Sequence, residues 1–364
     1  MSQRLLVVVG ARPNFVKVAP VLHALATLDD VQADVLHTGQ HYDRRLSDAF
    51  LEQLSFPDPA HHLGVGSGTH AEQTAGVLVG VERVLLDAPH AGVLVPGDVN
   101  STLAAALAAA KLGVPVIHLE AGLRSRDWTM PEEINRVLCD RLSDLLLVHS
   151  EEAIDNLEAE GIPRERAAFV GNTMIDSLLR LIGPARERGT LAGLGLEPQG
   201  YVLVTLHRPA LVDDPERLGA VLAVLGDVAR ELPVVFPLHP RTRVRLEQAG
   251  IEAPPGVRLL EPVEYLDFIV LQADARLVVT DSGGVQEETS ALGVPCITYR
   301  SSTERPVTIS HGTNELVGLD PAALGAACAR RLREPNGSGG AIPLWDGHAG
   351  ERAATAIAGA LELS

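Results

Sequence analysis

The 364 residues include three cysteines, Cys139, Cys296 and Cys328, and these lack the paired spacing of zinc sites and disulfide frameworks. No apolar run approaches the ~20 residues that a membrane-spanning helix requires. The first apolar run, residues 5–9, ends at a Gly-Ala-Arg-Pro turn, where a signal peptide would have a small-residue cleavage site. These absences argue against a metal site, a disulfide scaffold and a membrane protein, and they predict a cytoplasmic protein.

Basic residues are few, since 30 Lys and Arg stand against 47 Asp and Glu, giving a formal net charge of −17. This negative net charge argues against non-specific binding to nucleic acid or to an anionic membrane surface. An anionic ligand must therefore be held by a local basic pocket. The composition, 46% apolar and 21% charged, is that of a globular protein, and the length favours two domains.

Short apolar runs alternate with helical patterns along the whole chain. The predicted strands are 5–9, 33–37, 93–96, 116–119, 145–149, 202–206, 234–238, 257–260, 277–280 and 296–299. The clearest helical patterns between and after them are 16–27, 72–86, 131–142, 215–231, 285–292 and 349–361. This alternation predicts an α/β fold with two doubly wound, Rossmann-like domains built on parallel sheets. We place the first domain at residues 1–168, the second at 169–345, and a last helix, 346–364, back on the first domain.

In open α/β sheets a ligand lies beyond the carboxyl ends of the strands, so the residues after each predicted strand form the candidate site. Asp98 and Glu120 each follow a strand, and Glu132 opens a helix directly after Pro131. With His207, which also follows a strand, these are the candidate groups for proton transfer. If the carboxylates converge, their repulsion favours keeping one protonated, which puts an acid beside a base. The alternative for Glu132 is an ordinary favourable charge in a first helical turn.

A second group of residues suits a phosphorylated ligand. Ser282, Gly283 and Gly284 open a helix straight after a strand, where backbone N–H groups and the positive helix end attract phosphate. The alternative is a helix cap followed by tightly packed glycines. Glu288, one turn further on, can accept two hydrogen bonds from a ribose diol, or it is a solvated helix residue. The candidate cations for a diphosphate, each of which could also be an ordinary surface charge, are Arg12, Lys17, Arg208 and Arg305.

A dinucleotide cofactor is not expected. The segment 64–68 reads Gly-Val-Gly-Ser-Gly, which lacks a strong preceding strand and does not fit the Gly-x-Gly-x-x-Gly pattern. The histidines show no i, i+4 pairing with a carboxylate, so metal binding is not expected either. The sequence therefore predicts chemistry without a cofactor.

Eleven short motifs in the chain resemble, in the same order, those of the non-hydrolysing UDP-N-acetylglucosamine 2-epimerases. They are GARPNFVKVAP, TGQH, PGDVNST, HLEAGLRS, MPEEINR, GNTMID, TLHRP, PLHPR, TDSGGVQEE, LGVP and TERP. The resemblance spans almost the whole chain. It implies the two-domain glycosyltransferase-B type of fold with an interdomain cleft, a UDP-sugar substrate and UDP as ligands, no cofactor, and a homodimer.

The resemblance also implies roles for the candidate residues. Ser282, Gly283 and Gly284 would hold the diphosphate and Glu288 the ribose. Arg12 and Arg305 would lie near the nucleotide, and Phe268 would border the uracil. The residues implied around the sugar and the leaving group are Lys17, Asp98, Glu120, Glu132 and His207. The implied reaction removes the C2 proton as UDP leaves, gives a 2-acetamidoglucal, and then adds UDP back with protonation from the other face.

Two motifs depart from the family pattern. Ala11 and Asn14 replace the Thr and Glu of GTRPE, and Ala210 and Leu211 replace the Glu and Asn of HRxEN. These departures keep open a UDP-diacetamido-glucuronate substrate and an enzyme that hydrolyses the glycal. A glycosyltransferase of the same fold and a regulatory UDP-sugar-binding protein are the alternatives from other classes. Neither would need a cluster of three carboxylates.

Overall fold

The computed structural model describes residues 2–39, 50–334 and 341–362 of the chain, apart from the side chain of Arg12. Contacts divide the chain into two compact units. The first runs to Arg180 and resumes at Pro343, and the second is Leu181–Ile342. Each unit contains a parallel sheet with helices, so the predicted α/β class with two parallel-sheet domains is confirmed.

In the described part of the first unit, seven parallel strands are ordered β3-β2-β1-β4-β5-β6-β7. Their bounds are β1 Gln3–Val9, β2 Val31–His37, β3 His61–His62, β4 Gly92–Pro96, β5 Val116–Leu119, β6 Leu145–Val148 and β7 Ala167–Phe169. From β1 the chain first adds strands on one side, to β3, and then continues on the other side from β4, so the strand order reverses between β1 and β4. The loops after these strands therefore diverge and leave a crevice suited to a ligand.

The described part of the second unit repeats this plan with six parallel strands in the order β10-β9-β8-β11-β12-β13. Their bounds are β8 Val202–Thr205, β9 Val234–Pro237, β10 Val257–Leu260, β11 Leu277–Thr280, β12 Cys296–Thr298 and β13 Asn314–Leu316. Here the reversal falls between β8 and β11. The loops after these two strands are those that carry His207 and Ser282.

Helices connect the strands in both units. In the part of the chain that the structure describes, α-helices with defined bounds are Arg12–Leu25, His70–Asp87, Asn100–Lys111, Pro131–Leu142, Glu151–Ala159, Thr173–Arg186, Thr190–Leu194, Pro209–Val212, Pro215–Val228, Pro240–Ala249, Tyr265–Ala273, Gly283–Leu292, Val307–Ser310, Pro321–Arg333 and Ala349–Glu362. A 3₁₀ turn covers Arg164–Arg166. Within the described residues, no helix combines the length and the apolar character needed to cross a membrane.

All ten predicted strands are present, but four of them end one residue earlier than predicted. The residues after the true ends include Leu206, Leu238 and Tyr299, each at most 2% exposed. They extend the apolar run because burial continues past the hydrogen-bonded ladder. The edge strands β3, β7 and β13 were missed. Each has two or three residues, too few to show a hydrophobic period.

The core explains why the strands read as continuous apolar runs. Val7 and Leu94 are 0% exposed, as are Val204 and Val279 in the second unit, because helices cover both faces of each sheet. The helix Asn100–Lys111 packs against helices on either side, and its buried alanines let the neighbouring helices approach closely.

The last helix, Ala349–Glu362, packs along Arg12–Leu25 within the first unit. The Gly350 N–H donates to Asp176 Oδ2 at 2.7 Å. A Cβ atom at Gly350 would lie 2.7 Å from the carbonyl carbon and oxygen of Pro20, so the backbones of the two helices touch at this point. The close approach requires glycine.

We expect Gly350→Ala to lower the free energy of unfolding by about 1–3 kcal/mol, because the added methyl group would force the backbone of Pro20 to shift. The matched control is Gly359→Ala in the same helix, where an added Cβ meets no atom within 4 Å. That change should stabilise the protein by roughly 0.5–1 kcal/mol through helix propensity. Urea unfolding measures both, and equal effects would contradict this packing.

Candidate active site

In the first unit, Lys17 and Glu120 form an ion pair beside the loop that follows β4. Lys17 Nζ contacts Glu120 Oε2, and both side chains are about nine-tenths buried. A Cβ atom at Gly97 would lie 3.2 Å from Lys17 Nζ and 3.4 Å from Glu120 Oε2. The loops after β4 and β5 also join directly, because the Gly97 N–H donates to Leu119 O at 2.9 Å. The structure therefore brings Lys17 and Glu120 together next to the loop of Asp98.

The backbone of Glu120 is strained. Its φ is +71°, in the left-handed region that costs an ordinary residue roughly 1–2 kcal/mol. The N–H groups of Glu120 and Ala121 both donate to Leu147 O, at 3.0 and 3.1 Å, and hold this conformation. Strain of this kind persists where the surrounding structure fixes it, and it concentrates at functional sites.

Asp98 is held by a buried arginine that the sequence analysis did not single out. Arg136 Nη2 lies 2.5 Å from Asp98 Oδ2, and its Nη1 lies 3.0 Å from Glu133 Oε2. Glu133 also accepts hydrogen bonds from the N–H groups of Ser125 and Arg126, at 2.9 and 2.8 Å. The signal was present in the MPEEINR motif, since positions 133 and 136 share one helix face.

The two glutamates of that motif differ in environment. Glu133 is 2% exposed and anchors the loop after β5, whereas Glu132 is exposed in the first turn of Pro131–Leu142. Asp98 and Glu120 lie on loops that are bonded to each other. Glu132 instead stands on the helix that supplies Arg136.

Asn14, where the family has glutamate, joins two loops. Its Oδ1 accepts hydrogen bonds from the N–H groups of Gly10 and Ala11, at 3.2 and 3.0 Å. Its Nδ2 donates to Pro96 O at 3.3 Å. A carboxylate could accept the first two bonds but could not donate the third. Asparagine therefore ties the end of β1 to the end of β4.

In the second unit, Asp281 orients His207. His207 Nδ1 lies 3.0 Å from Asp281 Oδ1, while Asp281 Oδ2 accepts from the N–H groups of His207 and Arg208, both at 2.8 Å. The imidazole is about one-third exposed, and Asp281 is buried. The Nδ1 edge of the ring faces Asp281, which leaves Nε2 as the nitrogen for a ligand. Asp281 belongs to the TDSGGVQEE motif, but the local sequence predicts no contact between it and His207.

The helix Gly283–Leu292 begins at the end of β11, as predicted. Its N-cap residue, Ser282, makes no capping hydrogen bond through its side chain, and its N–H donates to Thr280 Oγ1 at 3.0 Å. The simple capping alternative is therefore not what this hydroxyl does here. Ser282 and Gly284 are partly exposed, so this helix end is accessible to an anion.

Arg305 lies directly beneath Gly283. A Cβ at position 283 would lie 2.5 Å from Arg305 Nη1, so glycine is needed for the guanidinium to approach. Arg305 Nε lies 3.0 Å from Glu287 Oε1, and its Nη1 donates to Glu304 Oε1 at 2.7 Å. Arg305 is 6% exposed, whereas the side chain of Arg208 is 30% exposed. Burial and the nearby Arg300 lower the pKa of Arg208.

Glu288 is buried, and both of its oxygens have protein donors. Tyr265 Oη donates to Oε1 at 2.8 Å, and Gln272 Nε2 donates to Oε2 at 2.7 Å. Burial raises the pKa of Glu288 to about 7, against the opposing effect of these two bonds and with a further increase from Glu287. Phe268, on the same helix as Tyr265, is half-buried and packs against the core of the second unit.

Gln40 and His41 of the TGQH motif and the side chain of Arg12, a candidate cation, lie outside the described part of the structure.

The two parallel sheets, each with a reversal of strand order, define a protein of the glycosyltransferase-B-like fold. A kitacinnamycin glycotransferase shares this fold, with a TM-score of 0.59 over 100% of this chain and 98% of its own, at 13% identity. Within that fold, the model of the UDP-N-acetylglucosamine 2-epimerase family matches residues 23–358. The chain belongs to this family.

Similarity to individual proteins supports the same family. The chain is 39% identical to a UDP-N-acetylglucosamine 2-epimerase of Methanocaldococcus jannaschii, over 96% of this chain and 97% of the relative. A UDP-2,3-diacetamido-2,3-dideoxy-D-glucuronate 2-epimerase of Pseudomonas aeruginosa is 45% identical over 86% of this chain and 88% of its own. A structure of the Methanocaldococcus enzyme with UDP-GlcNAc and UDP matches 99% of this chain and 100% of its own, with a TM-score of 0.89 and 39% identity.

The raised pKa of Glu288 predicts a pH-dependent stability. Between pH 4.5, the ordinary pKa of a glutamate, and about pH 7, Glu288 holds a proton in the folded protein that it has lost in the unfolded chain. The free energy of unfolding should therefore fall as pH rises through this range, by roughly 3 kcal/mol from this group.

In Glu288→Gln this contribution should be absent, so the fall in stability between pH 5 and 8 should be smaller than in the unaltered protein. Glu247→Gln, an exposed change in the same unit, is the control and should keep the full pH dependence. Urea unfolding across this range measures all three proteins. Parallel curves for the unaltered protein and Glu288→Gln would contradict the assignment.

Proposed function

We propose that the protein is a non-hydrolysing UDP-N-acetylglucosamine 2-epimerase, an isomerase that interconverts UDP-N-acetylglucosamine and UDP-N-acetylmannosamine. The observation that carries this proposal is the pair of charge-anchored carboxylates at neighbouring strand ends, Asp98 on Arg136 and Glu120 on Lys17. A nucleotide-sugar transferase of the same fold has no need of both. Family membership over nearly the whole chain supports the same reaction.

The chemistry of the substrate selects an elimination mechanism. The proton on C2 of a UDP-sugar is not next to a carbonyl group, so its simple removal is too costly. When a carboxylate takes this proton, the electron pair of the C–H bond forms a C1=C2 double bond and the C1–O bond to UDP breaks. UDP then adds back to C1 of the 2-acetamidoglucal, and a proton returns to C2 on the opposite face. One of Asp98, Glu120 and Glu132 removes the proton and another returns it.

The second unit is proposed to bind UDP. The hydroxyl of Ser282 and the N–H groups of Gly283 and Gly284 hold the diphosphate, and Arg208 adds positive charge. Glu288 binds the ribose hydroxyls, and Phe268 borders the uracil. Arg305, already paired with Glu287 and Glu304, acts by supporting Gly283 from below.

His207 and Lys17 are proposed to assist the departure of UDP. His207 is oriented by Asp281, so its Nε2 can donate to an oxygen of the leaving diphosphate. Lys17 keeps Glu120 in place and, with Arg12, contributes positive charge near the leaving group. No cofactor is assigned, because the elimination supplies its own electron pair.

A second substrate has a specific observation in its favour. The relative of Pseudomonas aeruginosa that is 45% identical acts, by its name, on UDP-2,3-diacetamido-2,3-dideoxy-D-glucuronate. Ala11, Asn14, Ala210 and Leu211 depart from the family pattern in two loops assigned to the substrate.

We also propose a homodimer in the cytoplasm, from the family resemblance. Light scattering of the purified protein at twice the monomer mass would support the dimer, and monomer mass would contradict it.

Proton NMR in D₂O tests the reaction and the substrate together. With UDP-N-acetylglucosamine we expect deuterium at C2 and new signals of UDP-N-acetylmannosamine. A parallel sample with the diacetamido-glucuronate sugar identifies the better substrate by its rate of exchange. Free N-acetylmannosamine would indicate a hydrolysing enzyme. Sugar transfer without C2 exchange would indicate a glycosyltransferase, and binding without turnover a regulatory protein.

Asp98→Asn and Glu120→Gln should each abolish C2 exchange, since an amide cannot accept the proton. UDP affinity should stay within about tenfold, or ~1.4 kcal/mol, because both residues belong to the sugar chemistry. Glu158→Gln, an exposed carboxylate of the same unit, is the control and should keep full activity. Calorimetry with UDP and the NMR assay measure the two properties. Normal exchange in either variant would remove that residue from the mechanism.

A further inference from the structure

We propose that His118 and Asp140 are positioning residues that lock together the two loops carrying Asp98 and Glu120. The inference rests on the proposed function, and it concerns residues that do not touch the substrate. Neither residue is among the candidates found in the sequence. Both lie in the first unit, fully buried, with 0% exposure.

His118 ties strand β5 to the loop after β4. Its Nε2 lies 2.7 Å from Gly97 O, and its Nδ1 lies 2.6 Å from Asp140 Oδ1. Gly97 directly precedes Asp98 and has φ +65°, a conformation that its side-chain-free backbone adopts at little cost. The carbonyl held by His118 therefore fixes the start of the peptide that carries Asp98.

Asp140 ties the same imidazole to the loop after β5. Its Oδ2 accepts from the Gly122 N–H at 3.1 Å and lies 2.7 Å from Arg124 Nη1. That loop begins with Glu120 in its strained conformation. One carboxylate, from the helix Pro131–Leu142, thus holds the second loop directly and the first through His118.

The partners of His118 require both of its ring nitrogens to carry protons. A carbonyl oxygen and an ionised carboxylate only accept hydrogen bonds, so the ring must donate twice and is an imidazolium. Burial opposes this charge, but Cys139 and Asp140 outweigh burial and place the pKa of His118 well above its usual range. Arg124 is in turn paired with Glu160 at 2.7 Å. The buried charges therefore form a compensated chain.

The geometry makes this chain a determinant of catalytic alignment. A displacement of about 1 Å in a reacting group can cost on the order of a hundredfold in rate. Without the imidazolium, the Gly97 carbonyl loses its buried donor, and the loop of Asp98 loses one of the bonds that align it with Glu120. Substrate binding by the second unit should be little affected.

Three variants of the protein test the proposal: His118→Leu, His118→Gln and Asp140→Asn. We expect His118→Leu and Asp140→Asn to lower kcat at least tenfold, with KM within threefold and the UDP Kd within twofold. Amide hydrogen exchange should accelerate in peptides covering 95–102 and 118–124. His118→Gln should recover part of kcat relative to His118→Leu, because its amide can donate to Gly97 O.

His90→Gln is the matched control. His90 is also buried in the first unit and lies 3.3 Å from a carboxylate, that of Asp34, but it precedes β4 and so lies at the opposite end of that strand from Asp98. His90→Gln should lower the free energy of unfolding about as much as His118→Gln does. Its kcat should stay within twofold of the unaltered protein, and amide hydrogen exchange in the two loop peptides should be unchanged.

The proposal is overturned if folded His118→Leu keeps kcat within twofold, or if its two loop peptides exchange as in the unaltered protein. If His118→Leu does not fold, the same criteria apply to Asp140→Asn and His118→Gln. If the unaltered protein turns over neither sugar, the proposed function fails. The exchange of the loop peptides in the variants then decides the positioning role by itself.

Discussion

Pairing of buried charges at the carboxyl ends of parallel strands is the constraint on which the rest of this structure depends. Both faces of each sheet are covered, so a charged side chain at a strand end is largely removed from water. This removal is costly unless the side chain meets an opposite charge. Lys17 meets Glu120, Arg136 meets Asp98, and Asp281 meets His207. The first two pairs each hold a proposed catalytic carboxylate in one orientation, because either partner alone would be a costly charge, and the third places buried Asp281 against the His207 ring.

A second consequence of this pairing is that charged side chains and the backbone come close together. At two positions the charged groups lie against the backbone because a side chain is missing: Gly97 beside Lys17 and Glu120, and Gly283 beside Arg305. The glycines of the PGDVNST and TDSGGVQEE motifs therefore serve the packing of charges as well as the binding of a phosphate. The two glycine-bearing loops belong to different units, yet the same physical requirement shaped both.

The departures from the family pattern acquire a physical meaning in the structure. Asn14 uses its amide to join the ends of β1 and β4, which a glutamate in its place could not do by donation. The residue 10–14 loop is thus tied to the end of β4 by a donated bond that the GTRPE pattern does not supply. This difference, together with the 45% identity to a diacetamido-glucuronate epimerase, makes the sugar the most informative property to measure.

The sequence by itself determined the α/β class, ten strands and the strand-end positions of Asp98, Glu120 and Ser282. It could do so because strands buried on both faces read as apolar runs, and polar residues stand out where these runs end. The edge strands β3, β7 and β13, the exposure of Glu132 beside buried Glu133, and the burial of Glu288 were decided by tertiary structure. So were the partners of His118 and His207, which lie 22 and 74 residues away. Local periodicity records which side chains are buried, but it carries no information about which distant loop arrives to bind them.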